Sequence, residues 1–337
     1  MEGKDMRMRR LLAWLLVLVM CFMLTACGKK PQEETPAQTD NTQQTTNQGT
    51  EQVGNATPLL YRVTDNDGNV IWLFGSIHVG REDYYPLPAY VQEAFEDAAS
   101  LAVEADIVAF EKDLGLQIKA LTPLAYMDGS RIKDHIPLET YEKAVDIFTE
   151  YGSYVSVLDM YCPAMWSSMI DSLLIGEWGG DVNLGLDKYL IEKAYETEKE
   201  ILEIESVQFQ YQMLADFSDD IQLMMLEGSI ASYENKEDSV ADLKEMMDLW
   251  ALGDENAFAA YLNAPAEDLT EEETAIYEEY TKIMLTDRNL HMADYAEQAL
   301  LGGKSTFICV GAAHIVGEGA LVQLLAQRGY TVECVTQ

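Results

Sequence analysis

The sequence predicts an α/β protein whose strands lie at the two ends of the chain. Strand-like runs occur near residues 59–106 and again at 305–335, and a long helical stretch fills the region between them. The 337-residue length suits one large domain or two ordinary ones, and 48% hydrophobic with 24% charged residues is a globular composition.

The elements follow in order. "LLYRVT" and "VIWLFGSI" flank Asp65-Asn-Asp-Gly-Asn69, which reads as a hairpin turn. A helix is expected from Pro88 to Ala98, then the strand "SLAVEAD" (100–106). Helical periodicity runs from about Glu111 to Tyr195, "EILEIE" (200–205) is a short strand-like break, and helices resume from Val207 to Leu301. The methionines of this last region, Met224, Met225, Met246 and Met247 among them, read as core filling. "STFICVG", a helix over 318–328 and "YTVECV" close the chain as β-α-β. Of the remaining cysteines, Cys309 and Cys334 fall in strand-like runs; the sequence favours two buried thiols over a bond between them.

The N-terminus differs in kind. Arg7, Arg9 and Arg10 precede an apolar run, Leu11 to Leu24, that is too short for an ordinary membrane span and reads as a secretory signal over residues 1–26. It ends in Leu24-Thr-Ala-Cys27, which resembles the lipobox of bacterial lipoproteins and predicts a lipidated Cys27. Residues 27–57 carry almost no large apolar side chain, cannot offset their ordering entropy by burial, and read as a disordered tether to a domain at 58–337. The implied location is the extracytoplasmic face of a bacterial cell membrane. Removing residues 1–26 takes away four basic and two acidic side chains, so the formal charge moves from −36 to −38. Such a surface repels nucleic acid and anionic lipid, which leaves the lipid as the membrane anchor. The sequence carries no reading of oligomeric state.

Chemistry concentrates in two matched stretches. "IWLFGSIHVG" ends an apolar run in Gly75-Ser-Ile-His78, and "STFICVGAAHIVGEG" repeats the arrangement in Gly311-Ala-Ala-His314. Two of only four histidines thus share one local setting, and the carboxyl ends of strands are where ligands collect in α/β proteins. The pair predicts a pseudo-repeat that brings both imidazoles to one sheet edge. The glycines are expected to let the backbone bend and a ligand approach. In an open cleft, either histidine could be removed without leaving a core cavity.

Together with "PLP" (86–88), "VEAD" (103–106), "GLD" (185–187), "LEIES" (202–206), "DRN" (287–289) and the closing "GYTVECV", these stretches resemble the TraB/PrgY/GumN family, which includes the Tiki metalloproteases and is distantly similar to erythromycin esterases. The resemblance covers about residues 59–337. It implies a mixed central sheet flanked by helices and a site built from His78, His314 and Glu104, with Arg288 as a cationic partner and Glu205 as a further acid. Asp187 matches a family position, without an assigned role. In the Tiki branch the activity is metal-dependent peptide cleavage.

Two imidazoles and a carboxylate form a three-ligand set that leaves a place for water on a divalent ion such as Mn, Co or Zn. No H-E-x-x-H helix is present. In a metal-free alternative one histidine acts as general base, Glu104 orients the water and Arg288 stabilises the oxyanion. His291, one helical turn from Arg288, could line the same face. Ser76 and Ser305 lie in no G-x-S-x-G elbow, which disfavours a serine hydrolase. The expectation is a hydrolase with a peptide or small-protein substrate, the rival class being a protein that sequesters a peptide signal without cutting it.

Overall fold

The computed structural model describes residues 54–265 and 269–335. The expected signal peptide, Cys27 and residues 28–53 of the expected tether lie outside the described residues. Residues 54–57 pack onto the fold: Asn55 N–H donates to Asp83 O, Thr57 N–H to Ala251 O, and Ala56 is fully buried. Residues 54–57, which composition assigns to the tether, are therefore part of the fold, because backbone pairing holds these polar residues.

Six strands form one mixed sheet: β1 (Leu60–Thr64), β2 (Val70–Ser76), β3 (Ser100–Val103), β4 (Glu200–Glu203), β5 (Thr306–Gly311) and β6 (Thr331–Val335), in the order β4-β3-β5-β2-β1-β6. β4, β3, β5 and β2 run parallel, and β1 is antiparallel to both β2 and β6. β3 ("SLAV") and β5 ("TFICVG"), neighbours inside the parallel half, are buried along their whole length, as expected for parallel strands covered on both faces. The hairpin forms as read, with Asp65 Oδ1 accepting from the N–H groups of Asp67 and Asn69. Helix α1 (Ala89–Asp97) joins β2 to β3 and buries Val91, Ala94 and Phe95 in the core under the sheet.

The middle of the chain is helical, but in short pieces. It includes α2 (Ile107–Lys112), α3 (Leu114–Leu121), α4 (Leu138–Glu150), α5 (Pro163–Trp178), α6 (Leu186–Glu196), α7 (Val207–Ala215), α8 (Asp219–Glu234), α9 (Lys236–Leu252), α10 (Glu255–Leu262), α11 (Glu271–Thr281) and α12 (Asp287–Leu301). Side-chain caps punctuate them: Asp106, Asp113, Ser206, Ser218, Asp254 and Thr270 each accept from an N–H of the first turn. Met225, Met246 and Met247 are buried core residues, and Met224 is half-buried against the cluster that contains Met225. Trp250 of α9 donates Nε1–H to Gly75 O, tying the helical half to the strand that leads to His78. Among the described residues no helix is long and apolar enough to cross a membrane.

The C-terminal unit departs from the sequence reading in two ways. His314 lies within a one-turn helix, α13 (Ala312–Ile315), that starts directly from β5, and the expected 318–328 helix is the shorter α14 (Leu321–Gln327). Gly317 and Gly319, both at positive φ, occupy the gap between the two helices. Cys309 is buried but Cys334 is exposed on the edge strand β6. Three strand spacings, about 14 Å, separate β5 from β6, so the two thiols do not meet.

Candidate functional site

Each of the four parallel strands delivers a site residue where it ends. β2 runs out to His78, β3 to Glu104, β4 to Glu205 and β5, through α13, to His314. Pairing continues past the strands, since Ile204 N–H donates to Val103 O and Glu205 N–H to Glu104 O, which sets the two glutamates side by side. The two histidine units are neighbours but not equivalent. Gly75 pairs with Val310 and Ser76 with Gly311, so one unit is offset by a residue, with His78 in a loop and His314 in a helical turn.

The glycines serve packing more than bending. A Cβ at Gly75 would meet Ala312 Cα at 3.0 Å, so this glycine admits α13 against the sheet. A Cβ at Gly311 would stand 3.3 Å from Glu104 Oε1 and 3.6 Å from His314 Cδ2. Gly311 therefore keeps open the space between these two side chains, and its N–H donates to Glu104 Oε1 at 2.7 Å.

Arg288 anchors the carboxylates. Its Nη2 donates to Glu104 Oε2 at 2.6 Å and to Glu205 Oε2 at 2.8 Å, Nε donates to Glu205 Oε1 at 2.8 Å, and Nη1 donates to Met284 O. Gln210 Nε2 bridges the same two glutamates at 3.0 and 3.1 Å. The guanidinium and both carboxylates are nearly inaccessible to solvent. Burial alone would raise the Glu104 carboxyl, but the Arg288 charge, with lesser help from His314, His78 and the Gly311 N–H, holds it well below the usual range. Glu104 is thereby kept ionised at the buried end of the sheet.

Both imidazoles are oriented through Nδ1. His78 Nδ1 lies 2.9 Å from Asp187 Oδ2, and the "GLD" segment is clamped to the strand exit by Leu186 N–H donating to Ile77 O. His314 Nδ1 lies 2.6 Å from Asn289 Oδ1, and the Asn289 amide in turn donates to Gly319 O. With Nδ1–H donated, the neutral ring carries its lone pair on Nε2. His314 is completely buried, contrary to the open cleft expected from sequence, because α13 packs against β2 and β5 and the ring meets Asn289 of α12. Burial and then the nearby Arg288 charge push its pKa down to about 3 against the pull of Glu104, so the ring is neutral. Among the described residues His314 Nε2 is a buried nitrogen with no hydrogen-bond partner.

The sequence-predicted residues His78, His314, Glu104, Arg288 and Glu205 thus share one strand-end edge. His291 is exposed nearby, with Nε2 3.2 Å from Ile204 O. Asp187 acquires a role as the carboxylate that orients His78. Sequence reasoning missed Asn289 and Gln210; Asn289 stood in the quoted "DRN", one residue from Arg288. In chemistry the set fits a divalent ion: two imidazoles, each held from behind by an oxygen, and an ionised carboxylate beside the orphaned His314 Nε2. As placed, no three His, Cys, Asp or Glu side chains among the described residues are grouped closely enough to grip one.

Comparison with known proteins places the chain at the level of the family. The chain is 26% identical over 256 residues to uncharacterized protein YbaP of Escherichia coli (strain K12), covering 75% of this chain and 86% of the relative. YbaP of Shigella flexneri has the same identity and coverage. No solved structure matches the chain. The TraB/PrgY/gumN family matches residues 59–334, which takes in every strand end described above and all but the last strand residue, and the chain belongs to that family.

Proposed function

We propose that the protein is a membrane-anchored, extracytoplasmic hydrolase that cleaves peptides with the help of a divalent metal ion. The observation that carries the reading is the buried, unpartnered Nε2 of His314 beside the ionised Glu104. A lone pair buried without a partner is costly and calls for an explanation, and a ligand or a reacting proton supplies one. His78, His314 and Glu104 would hold the ion, and the chemistry it supplies when bound is a water acidic enough to lose a proton near neutral pH. Asp187 and Asn289 orient the imidazoles, and Arg288 with Gln210 fixes Glu104 and Glu205. Anchoring and location rest on residues 1–27, the basic and apolar leader that ends in Leu24-Thr-Ala-Cys27.

A second reading is favoured by the engagement of both Glu104 oxygens, by Gly311, Arg288 and Gln210, together with the absence of a ready three-ligand group among the described residues. In it the Asp187–His78 pair is the general base that deprotonates water without a metal. One experiment separates the readings: the purified protein is incubated with a peptide library, with and without chelator, and then with Mn, Co or Zn restored. Hydrolysis lost to chelator and restored by an ion supports the metal reading. Chelator-insensitive hydrolysis supports the second. Peptide retention with no product under any condition sinks both and leaves a sequestering protein.

A further inference from the structure

We propose that the cavity on the far side of the Glu205–Arg288 pair is a specificity pocket for a large apolar side chain of a cationic peptide. The inference rests on the hydrolase reading above and deepens it by naming the class of substrate. The cavity has a volume of about 600 Å³, within the range of ligand sites, roughly 300–1,000 Å³. Ile204, Phe209, Met213, Phe217 and Ile283 form its apolar walls.

The wall is built by spacing. Phe209, Gln212, Met213 and Asp216 recur at helical intervals along α7 and its C-cap and so share one face, turned toward the cavity. Phe209 is half exposed there although it is a large aromatic residue. The opposite wall comes from a π-helical turn, Lys282–Thr286, between α11 and α12. This wide turn is a rare feature that recurs at functional sites. It contributes Ile283 to the cavity while the carbonyl of the next residue, Met284, accepts from Arg288 Nη1.

Arg288 is the shared partition. Its Nη2 touches Glu104, whose other oxygen accepts from Gly311 N–H at the start of the turn that carries His314, and also Glu205, which lines the cavity. A side chain seated in the cavity would therefore lie one guanidinium away from the reacting edge. The cavity's lining sets the carboxylates of Glu205, Asp216 and Asp287 against Arg288 and the His291 imidazole; even with Lys282 paired to Asp287 and Arg288 shared with the buried Glu104, acids outnumber cations, on a molecule of net charge −36. That balance favours basic residues beside the apolar one and disfavours acidic ones.

The test is equilibrium binding, so that it does not depend on turnover. A fluorescein-labelled, net-positive hexapeptide with one central phenylalanine is titrated by anisotropy, beside versions with alanine or aspartate in that place. The protein is used as wild type and as His314→Gln, which removes the imidazole. The expected result in both is binding of the phenylalanine peptide at least tenfold tighter than the alanine peptide, with the aspartate peptide weakest. Met213→Trp, which fills the cavity, should bring the preference to within about twofold. Phe209→Ala, at a half-exposed position that keeps the test alive if the tryptophan variant fails to fold, should reduce it severalfold. Leu301→Ala, an exposed apolar residue at the far end of α12, should leave it unchanged. Equal binding of the phenylalanine and alanine peptides by wild type, or a preference that survives both Met213→Trp and Phe209→Ala, overturns the pocket. An intact preference with no cleavage of any peptide supports the pocket and sinks the hydrolase reading alone.

Discussion

At the residue scale, the pairing of His314 with Asn289 separates chemistry from packing. His314→Ala should abolish hydrolysis and also destabilise the fold by about 2–5 kcal/mol, because it opens a cavity and strands the Asn289 amide oxygen. His314→Gln, which fills most of the space, should abolish hydrolysis with a clearly smaller shift in the urea midpoint. Equal loss of stability in both variants would mean that the ring matters for the fold by more than its volume. Asp187→Asn is expected to lower kcat by about 10–100-fold with KM little changed, because the amide no longer fixes the His78 tautomer. Unaltered kcat would remove Asp187 from the machinery. Arg288→Met leaves Glu104 and Glu205 buried without their cation and should cost about 3–5 kcal/mol by urea unfolding. At this scale the sequence displayed both histidines openly, as matched G-x-x-H stretches in a chain with few histidines. It could not display Asp187 against His78 or Asn289 against His314, since partners 109 and 25 residues apart leave no local spacing signal.

At the scale of elements, α5 carries a buried acid that the site does not use. Asp171 is 1% exposed, and Oδ1 is buried without a partner among the described residues. Burial pushes its carboxyl up to about 7, with a hydrogen bond from Ser229 working against the shift. The native state therefore holds a proton that the unfolded chain releases near its ordinary value of 3.8, so stability falls as pH rises from about 4 to about 7. Asp171→Asn should raise Tm, and the gain should be larger at pH 8 than at pH 5 by scanning calorimetry. A gain that does not grow with pH would show that Asp171 is ionised in the fold. Gly75→Ala tests the contact between β2 and α13, where a Cβ would press on Ala312 Cα at 3.0 Å. It should destabilise by about 1–3 kcal/mol as the helix is pushed off the strand. Strand and helix types were legible from periodicity and length, including the short break at 200–205. The offset between the two histidine units was not, because register is set by pairing across 230 or more residues of chain.

At the scale of the whole molecule, the order β4-β3-β5-β2-β1-β6 is what turns scattered motifs into one site. A chain that returns after two hundred residues to insert β5 between β3 and β2 places His314 between Glu104 and His78. The clustering of strands at the two ends made a shared sheet edge foreseeable, while the insertion itself depends on which strands can be buried on both faces. Cys27→Ser should stop lipid addition, and mass spectrometry of the mature N-terminus checks it; a native start at any residue other than Cys27 refutes the anchor. The most direct test of the central claim, that four strand ends form one hydrolytic centre, is kcat/KM for a single cleavable peptide in wild type, His78→Gln, His314→Gln and the double variant. The account predicts that each single change lowers kcat/KM by at least about a thousandfold and that the double variant is scarcely worse, since groups acting as one unit are not additive. Activity within about tenfold of wild type in either single variant, or losses that multiply in the double, would contradict it.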